Sequence, residues 1–348
     1  MKTSFPFSLR LAGWLISTVI IVYGLYILQD IILPLVFSIL FAVMLFPACR
    51  LLEKWRFPRV LAIFISQILF SAVIGGLVYL AYTQVKDFDE QLPKLAEKAS
   101  LWTDKAQIFI SETFHLSKKN QAIEGKKIAA DVLKSGASSI TAALATTTGT
   151  LATAALVPIF VFLFLLYRDF FGIFFYQLFD SKHKRKVAIG IARIYDVIQS
   201  YLVGMVLVIF IVGVLNSVGL LFLGVDYAIF FGFFGAFLLL IPYIGIMIGS
   251  ILPALMALIT KDSPMYALGV LAIFGVVQIL EGNFITPNIV GSKISINPLV
   301  AMIALIMGDN LWGVAGLILA LPCIAIIKVI FDLVEPLKPF GYLLGDAE

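Results

Sequence analysis

The sequence predicts an all-α polytopic membrane protein, and three observations carry that reading. Of 348 residues, 61% are hydrophobic and 13% charged, and the mean hydropathy of +1.05 is far above that of a water-soluble domain. The charges are gathered in a few blocks. Between the blocks lie uncharged runs near the ~20 residues needed to cross ~30 Å of hydrocarbon. The same figures exclude function classes. With 25 Lys plus Arg against 21 Asp plus Glu, the excess of +4 is too small to indicate a nucleic-acid binder. Cys49 and Cys323 lie in or beside apolar runs and far apart, so they are read as packing residues rather than a disulfide framework or metal site. His115 and His183 sit in charged segments with no second ligand at a useful spacing and are read as solvated surface.

The first apolar run, 11–28, follows Lys2 and Arg10, but no small-residue cleavage site ends it and another run begins at Ile31. It is therefore read as a retained span. Runs 31–47, 60–82, 142–167 and 201–223 are the next four. Orientation follows from the basic loops: 50–59 carries four basic residues against one acid, and 168–196 carries six against three. Both are expected to be cytoplasmic, as is the N-terminus, because the Gln29-Asp30 link between the first two spans has no basic residue. By parity, 83–141 lies outside, although its nine lysines against eight acids say nothing about side.

Beyond residue 223, two stretches of about 34 residues, 227–260 and 298–331, are uncharged or nearly so. A straight helix of that length would run about 51 Å, too long for one crossing. Each is interrupted near its middle, the first by IPYIG with Pro242 and Gly245, the second by GDNLWG ending at Gly313. The pattern predicts two broken or re-entrant helical hairpins flanking a span at 265–280, with one long kinked helix each time as the alternative. The expected organisation is an N-terminal three-span unit (1–82), an extracytoplasmic amphipathic insertion (83–141), a fourth span with a cytoplasmic interfacial helix (142–200), a C-terminal core (201–331) and a cytoplasmic tail (332–348).

Within the insertion, Val85, Phe88, Leu92, Leu95, Ala99, Trp102, Ala106 and Phe109 alternate at spacings of three and four. That is a heptad seam, interrupted early by Pro93. It wants a partner, either another copy of the chain or the amphipathic stretch 128–140. On the other side, DFFGIFFYQLF followed by DSKHKRK combines aromatic surface with a basic cluster, as a helix lying along the inner leaflet does.

Ionisable and amide groups at membrane depth are the candidates for function, because each is costly there unless paired or hydrated. Glu281 ends an apolar span with Gln278 three residues before it on the same helical face, and Asn283, Pro287 and Asn288 follow. Asp309 and Asn310 occupy the break in the last long segment, and Asn216 is a lone amide in the fifth span. A carboxylate with carboxamides around an unwound backbone can hold a proton, a sodium ion or a polyhydroxylated solute. Equally, Glu281 and Asp309 can be charges at helix ends, and Asn216 an interhelical hydrogen-bonding group. Gly245 and Gly249, bounded by Pro242 and Pro253, permit close helix approach and free carbonyls, and Pro287, Pro298 and Gly313 are further candidate breaks. There is no Ser-His or Cys-His arrangement near a span, no HExxH and no Walker loop, so neither an enzyme nor an ATP-driven pump is indicated, and no cofactor or metal is expected.

The segments IPYIGIMIGSILPALMAL, QILEGNFITPNIVGSKISINPLV and LWGVAGLILALPCIAIIKVI, with YRD at 167–169 and GVDYA at 224–228, resemble the autoinducer-2 exporter family, the PerM-like permeases. Pro242, Gly245, Gly249, Gln278, Glu281, Asn283, Pro287, Pro298, Gly313, Gly316 and Pro322 stand where that family's pattern stands. The resemblance implies a bacterial inner-membrane protein with about eight helical crossings, a soluble insertion after the third, and oligomeric assembly. It also implies export of a small furanosyl quorum-sensing signal, or sodium/proton exchange as in some relatives. The expectation is thus a secondary transporter for a small polar solute, foremost an autoinducer-2-like molecule. The alternatives are a sodium/proton exchanger and a non-transporting oligomeric scaffold built on Phe88, Leu92, Leu95 and Trp102.

Overall fold

The computed structural model describes residues 6–76, 78–79, 83, 147–178, 184–241, 244–290 and 296–345. The heptad seam with Phe88, Leu92, Leu95 and Trp102, the rest of the insertion beyond Thr83, both histidines, Pro242 and Lys293 lie outside the described residues. Among the described residues the chain is helical throughout, without a strand. The helices are α1 (Phe7–Ile27), α2 (Gln29–Lys54), α3 (Arg59–Gly76), α4 (Thr147–Leu166), α5 (Arg168–Leu178) and α6 (Lys184–Phe222). They continue with α7 (Ala228–Leu238), α8 (Ile244–Thr260), α9 (Met265–Leu280), a π-turn (Glu281–Ile285), α10 (Thr286–Ile289), α11 (Pro298–Leu333), a 3-10 turn (Glu335–Leu337) and α12 (Lys338–Leu344).

By length and composition α2, α3, α6, the continuous run Met265–Ile289 and α11 each suffice to cross a membrane, and α4 and α5, bent by 66° where they meet, suffice when taken together. This is a multi-pass membrane protein. The helices overrun the apolar stretches that define them. α2 continues through Pro47 to Lys54 and α6 starts at Lys184, because one missing N–H in a packed helix costs a single rung and the flanking basic turns remain helix-compatible.

The residues group into two compact units, one of Met1–Gln67, Ala152–Leu202 and Lys293–Glu348, the other of Ile68–Leu151 and Val203–Ser292. In the first, Leu40, Ile198 and Leu319 are buried together beneath Val36, Phe37, Ile194 and Trp312. Cys49 is fully buried and Cys323 partly so, both as free thiols. The α2–α3 turn is tied to the α4–α5 elbow by two ion pairs of 2.7 Å, Arg168 with Glu53 and Arg59 with Asp169. In the second unit, Leu220, Phe231, Met256, Val270 and Phe274 form the core.

Both long C-terminal segments fold back on themselves. A Cβ at Gly249 would lie 2.8 Å from Gly235 Cα, although a straight helix would hold residues fourteen apart about 21 Å from each other. α7 and α8 are therefore the two arms of a hairpin, and their turn is so tight that a Cβ at Gly245 would collide with the Leu238 carbonyl. α11 is broken at Trp312 (φ −138°, ψ 16°) and Gly313 (φ 58°, ψ −138°), the latter a conformation open only to glycine. Past that turn Gly316 lies directly against the Gly308 carbonyl. The base of this hairpin is closed by α12: Asn297 N donates to Leu344 O at 3.0 Å, and Gly341 packs on Asp332. Both ends of α11 therefore lie on one side. Its 36 residues are two antiparallel arms, so length alone overstates what it spans.

Candidate functional site

The polar group with the most developed geometry lies where α9 passes into α10. Sequence reasoning expects unwound backbone after Glu281; instead the chain stays helical through a single π-turn, Glu281–Ile285, and on to Ile289. Pro287 supplies a physical cause, since its ring crowds the carbonyl four residues earlier and widening the turn relieves the clash without ending the helix. The wide turn changes which side chains share a face. In an α-helix residues five apart point well away from each other, whereas here Thr286 returns to Glu281, giving its N–H to the Glu281 carbonyl and its hydroxyl to Oε1 in a very short hydrogen bond. Gln278 Nε2 donates to the other oxygen, Oε2, at 2.7 Å. Glu281 is thus half-buried with one donor on each carboxylate oxygen, and about half of its acceptor sites are left for a ligand.

The asparagines behave differently from the sequence-based expectation. Asn283 donates to Ile279 O at 2.8 Å, Asn288 to Phe284 O at 2.7 Å and Asn310 to Ile306 O at 2.8 Å. Each turns its amide nitrogen back onto its own helix, four residues earlier. Such back-bonding satisfies each amide N–H within its own helix. Gln278 and Glu281 are brought together as their spacing predicts. Thr286 was missed because its partnership depends on an i to i+5 geometry to which a 3.6-residue periodicity is blind; the only sequence signal was Pro287 beside it.

Asp309 and Asn310 lie in the other compact unit, exposed, at the tip of the α11 hairpin one helical turn before Gly313. Asn216, on α6, is 3% exposed, and its Oδ1 has no hydrogen-bond partner among the described residues. Its neighbour Ser217 is packed under Gly232 and donates to Ile229 O. Of the candidate breaks, Gly313 is where the backbone leaves helical angles, and Gly245 lies at the α7–α8 turn. Gly249 and Pro253 sit inside α8, which continues past both: Gly249 provides a contact against Gly235, and Pro253 is fully buried by packing that holds the helix in place. Pro298 is the first residue of α11, behind Asn297, whose side chain caps the Leu299 N–H at 2.9 Å; its missing N–H costs nothing there.

An apolar multi-pass chain with two re-entrant hairpins and a hydrogen-bonded carboxylate on a π-turn has the parts of a membrane transporter. The sequence profile described as AI-2E family transporter matches residues 15–335, nearly the whole chain. The chain belongs to the AI-2E transporter family. Among its relatives, YrrI of Bacillus subtilis (strain 168) is 26% identical over 324 residues, covering 87% of this chain and 86% of its own. YhhT of Escherichia coli (strain K12) is 23% identical over 99% of this chain and 95% of its own. The AI-2 transport protein TqsA of the same strain is 26% identical over 94% of this chain and 93% of its own. With AI-2E family membership, this chain is a permease.

Proposed function

We propose that this AI-2E family transporter is a secondary transporter that carries a small polar solute out of the cell, with an autoinducer-2-like hydroxylated furanosyl molecule as the leading cargo and the bacterial inner membrane as its location. The observation that carries this reading is the Glu281 carboxylate, held by Gln278 and Thr286 directly after the apolar stretch of α9. A preorganised carboxylate with spare acceptor capacity suits vicinal hydroxyl groups, each of which can donate to it. TqsA, a relative over most of its length, carries AI-2 transport in its name, which supports the same cargo. Sodium/proton exchange is the second reading. It is favoured by the anionic charge of that carboxylate and by the hydroxyl oxygen that Thr286 places beside it, which suit a hard monovalent cation. The scaffold alternative rests on residues outside the described ones.

Flux in proteoliposomes separates these readings. Purified protein is reconstituted and loaded with autoinducer-2, with other small polyols, or with sodium under a pH gradient. Solute efflux that falls at least tenfold in Glu281→Gln, with folding and oligomer size unchanged, is the expected result. Sodium-dependent proton movement without solute efflux selects the exchanger. Wild-type flux in Glu281→Gln removes this carboxylate from the pathway.

A further inference from the structure

At the end of α2 the chain makes the same turn as at the end of α6, with a different residue at its pivot. After α6, Gly224 takes a left-handed conformation (φ 64°), Val225 N bonds Leu220 O at 3.0 Å and Gly224 N bonds Leu221 O at 2.9 Å. After α2, Phe57 N bonds Leu52 O at 3.2 Å and Arg56 N bonds Glu53 O at 3.0 Å, and the left-handed residue is Arg56 (φ 68°). Glycine is the residue that such a turn favours, and an arginine there carries a steric cost.

That side chain is exposed and has no carboxylate partner among the described residues, and neither does Lys54. The nearby acids are already committed, Glu53 to Arg168 and Asp169 to Arg59. Arg50 lies over the Phe46 ring, 5.0 Å from its centroid, which orients the guanidinium without neutralising it. Arg50 and Lys54 are four residues apart on one helical face, a like-charge pair that is unfavourable unless an anion lies between them. The cations are bordered by exposed apolar groups: Trp55 and Phe57 flank Arg56, and α5, bent 66° from α4 and joined to this turn by both ion pairs, exposes Phe170 and Ile173.

We infer that this turn, together with α5, binds the headgroup of an anionic phospholipid. Arg50, Lys54 and Arg56 hold the phosphodiester, and the aromatic side chains lie against the glycerol and upper acyl chains. Charge complementarity selects an anion, and the apolar border selects a lipid over free phosphate, which gains nothing from Trp55 or Phe57.

Native mass spectrometry of the detergent-purified protein, with phosphatidylglycerol or phosphatidylethanolamine added, tests this. The expected result is retention of phosphatidylglycerol over phosphatidylethanolamine, undiminished by millimolar inorganic phosphate. Arg56→Gly should weaken phosphatidylglycerol binding about fivefold while leaving the unfolding temperature equal or higher, since glycine suits the turn. Replacing Arg50, Lys54 and Arg56 together with Gln should weaken it about a hundredfold. If the triple variant fails to fold, Arg56→Gly decides alone. Equal retention of both lipids, wild-type affinity in Arg56→Gly, or displacement by inorganic phosphate would overturn the assignment.

Discussion

Gly316 rests against the carbonyl oxygen of Gly308, eight residues behind it on what the sequence writes as one apolar stretch. In a straight helix these two would be about 12 Å apart. Their contact, with the left-handed Gly313 between them, makes α11 a hairpin whose two ends lie on one side.

The first prediction is topological. Re-entrant geometry for both C-terminal segments places Lys261 outside and Lys293 inside, with single cysteines at 261 and 293 labelled from opposite faces in a background lacking Cys49 and Cys323. An impermeant maleimide should reach position 261 and not 293 in intact cells. The reverse pattern would mean that each segment crosses once.

Gly313 itself is the hinge of that hairpin. Gly313→Ala keeps the volume nearly constant but forces a side chain into a backbone conformation that L-residues avoid, which should destabilise the protein by about 1–3 kcal/mol. Trp312→Phe removes the indole N–H that reaches Leu25 O at 3.1 Å and should cost about 1 kcal/mol. Thermal unfolding in detergent measures both, and an unchanged midpoint for Gly313→Ala would show that the turn tolerates a Cβ.

Thr286→Val deletes one of the two donors that fix Glu281 while preserving shape. Because a hydrogen bond to a charged group contributes about 1.5–3 kcal/mol, solute affinity measured as the half-saturating concentration for flux should weaken about tenfold or more. Flux indistinguishable from wild type would mean that the carboxylate orientation does not matter for transport.

Glu335, on the 3-10 turn after α11, accepts from Lys338 at 3.0 Å and from Lys186 at 3.3 Å, and these hydrogen bonds hold its carboxyl below the ordinary value of 4.5. A depressed folded-state value means that the contribution is present above about pH 4.5 and is lost as pH falls through the folded-state value. The pair is exposed, so the effect is small and salt-sensitive. Glu335→Gln should lower the unfolding midpoint slightly at pH 7 and low salt, and less at pH 3 or in 1 M salt. Equal effects at both pH values would remove the ion pairs from the explanation.

What the sequence by itself determined follows from composition and local rules. Runs such as 31–47 and 201–223 had to be helical and membrane-embedded, since lipid offers no partner for open backbone, and stretches as long as 227–260 had to be interrupted. Gln278 with Glu281 was legible for the same kind of reason, because three residues along one helix fix a shared face. Tertiary structure decided the rest. Whether 298–331 kinks or turns back depends on Gly308 meeting Gly316 and on α12 closing the base, contacts between residues that no periodicity relates. Thr286 joins Glu281 only once the π-turn exists, and the proline at 253 stays inside its helix because packing, which is not written locally, holds it there. A helix is a property of neighbouring residues, whereas a hairpin or a two-donor carboxylate depends on what the folded chain brings against them.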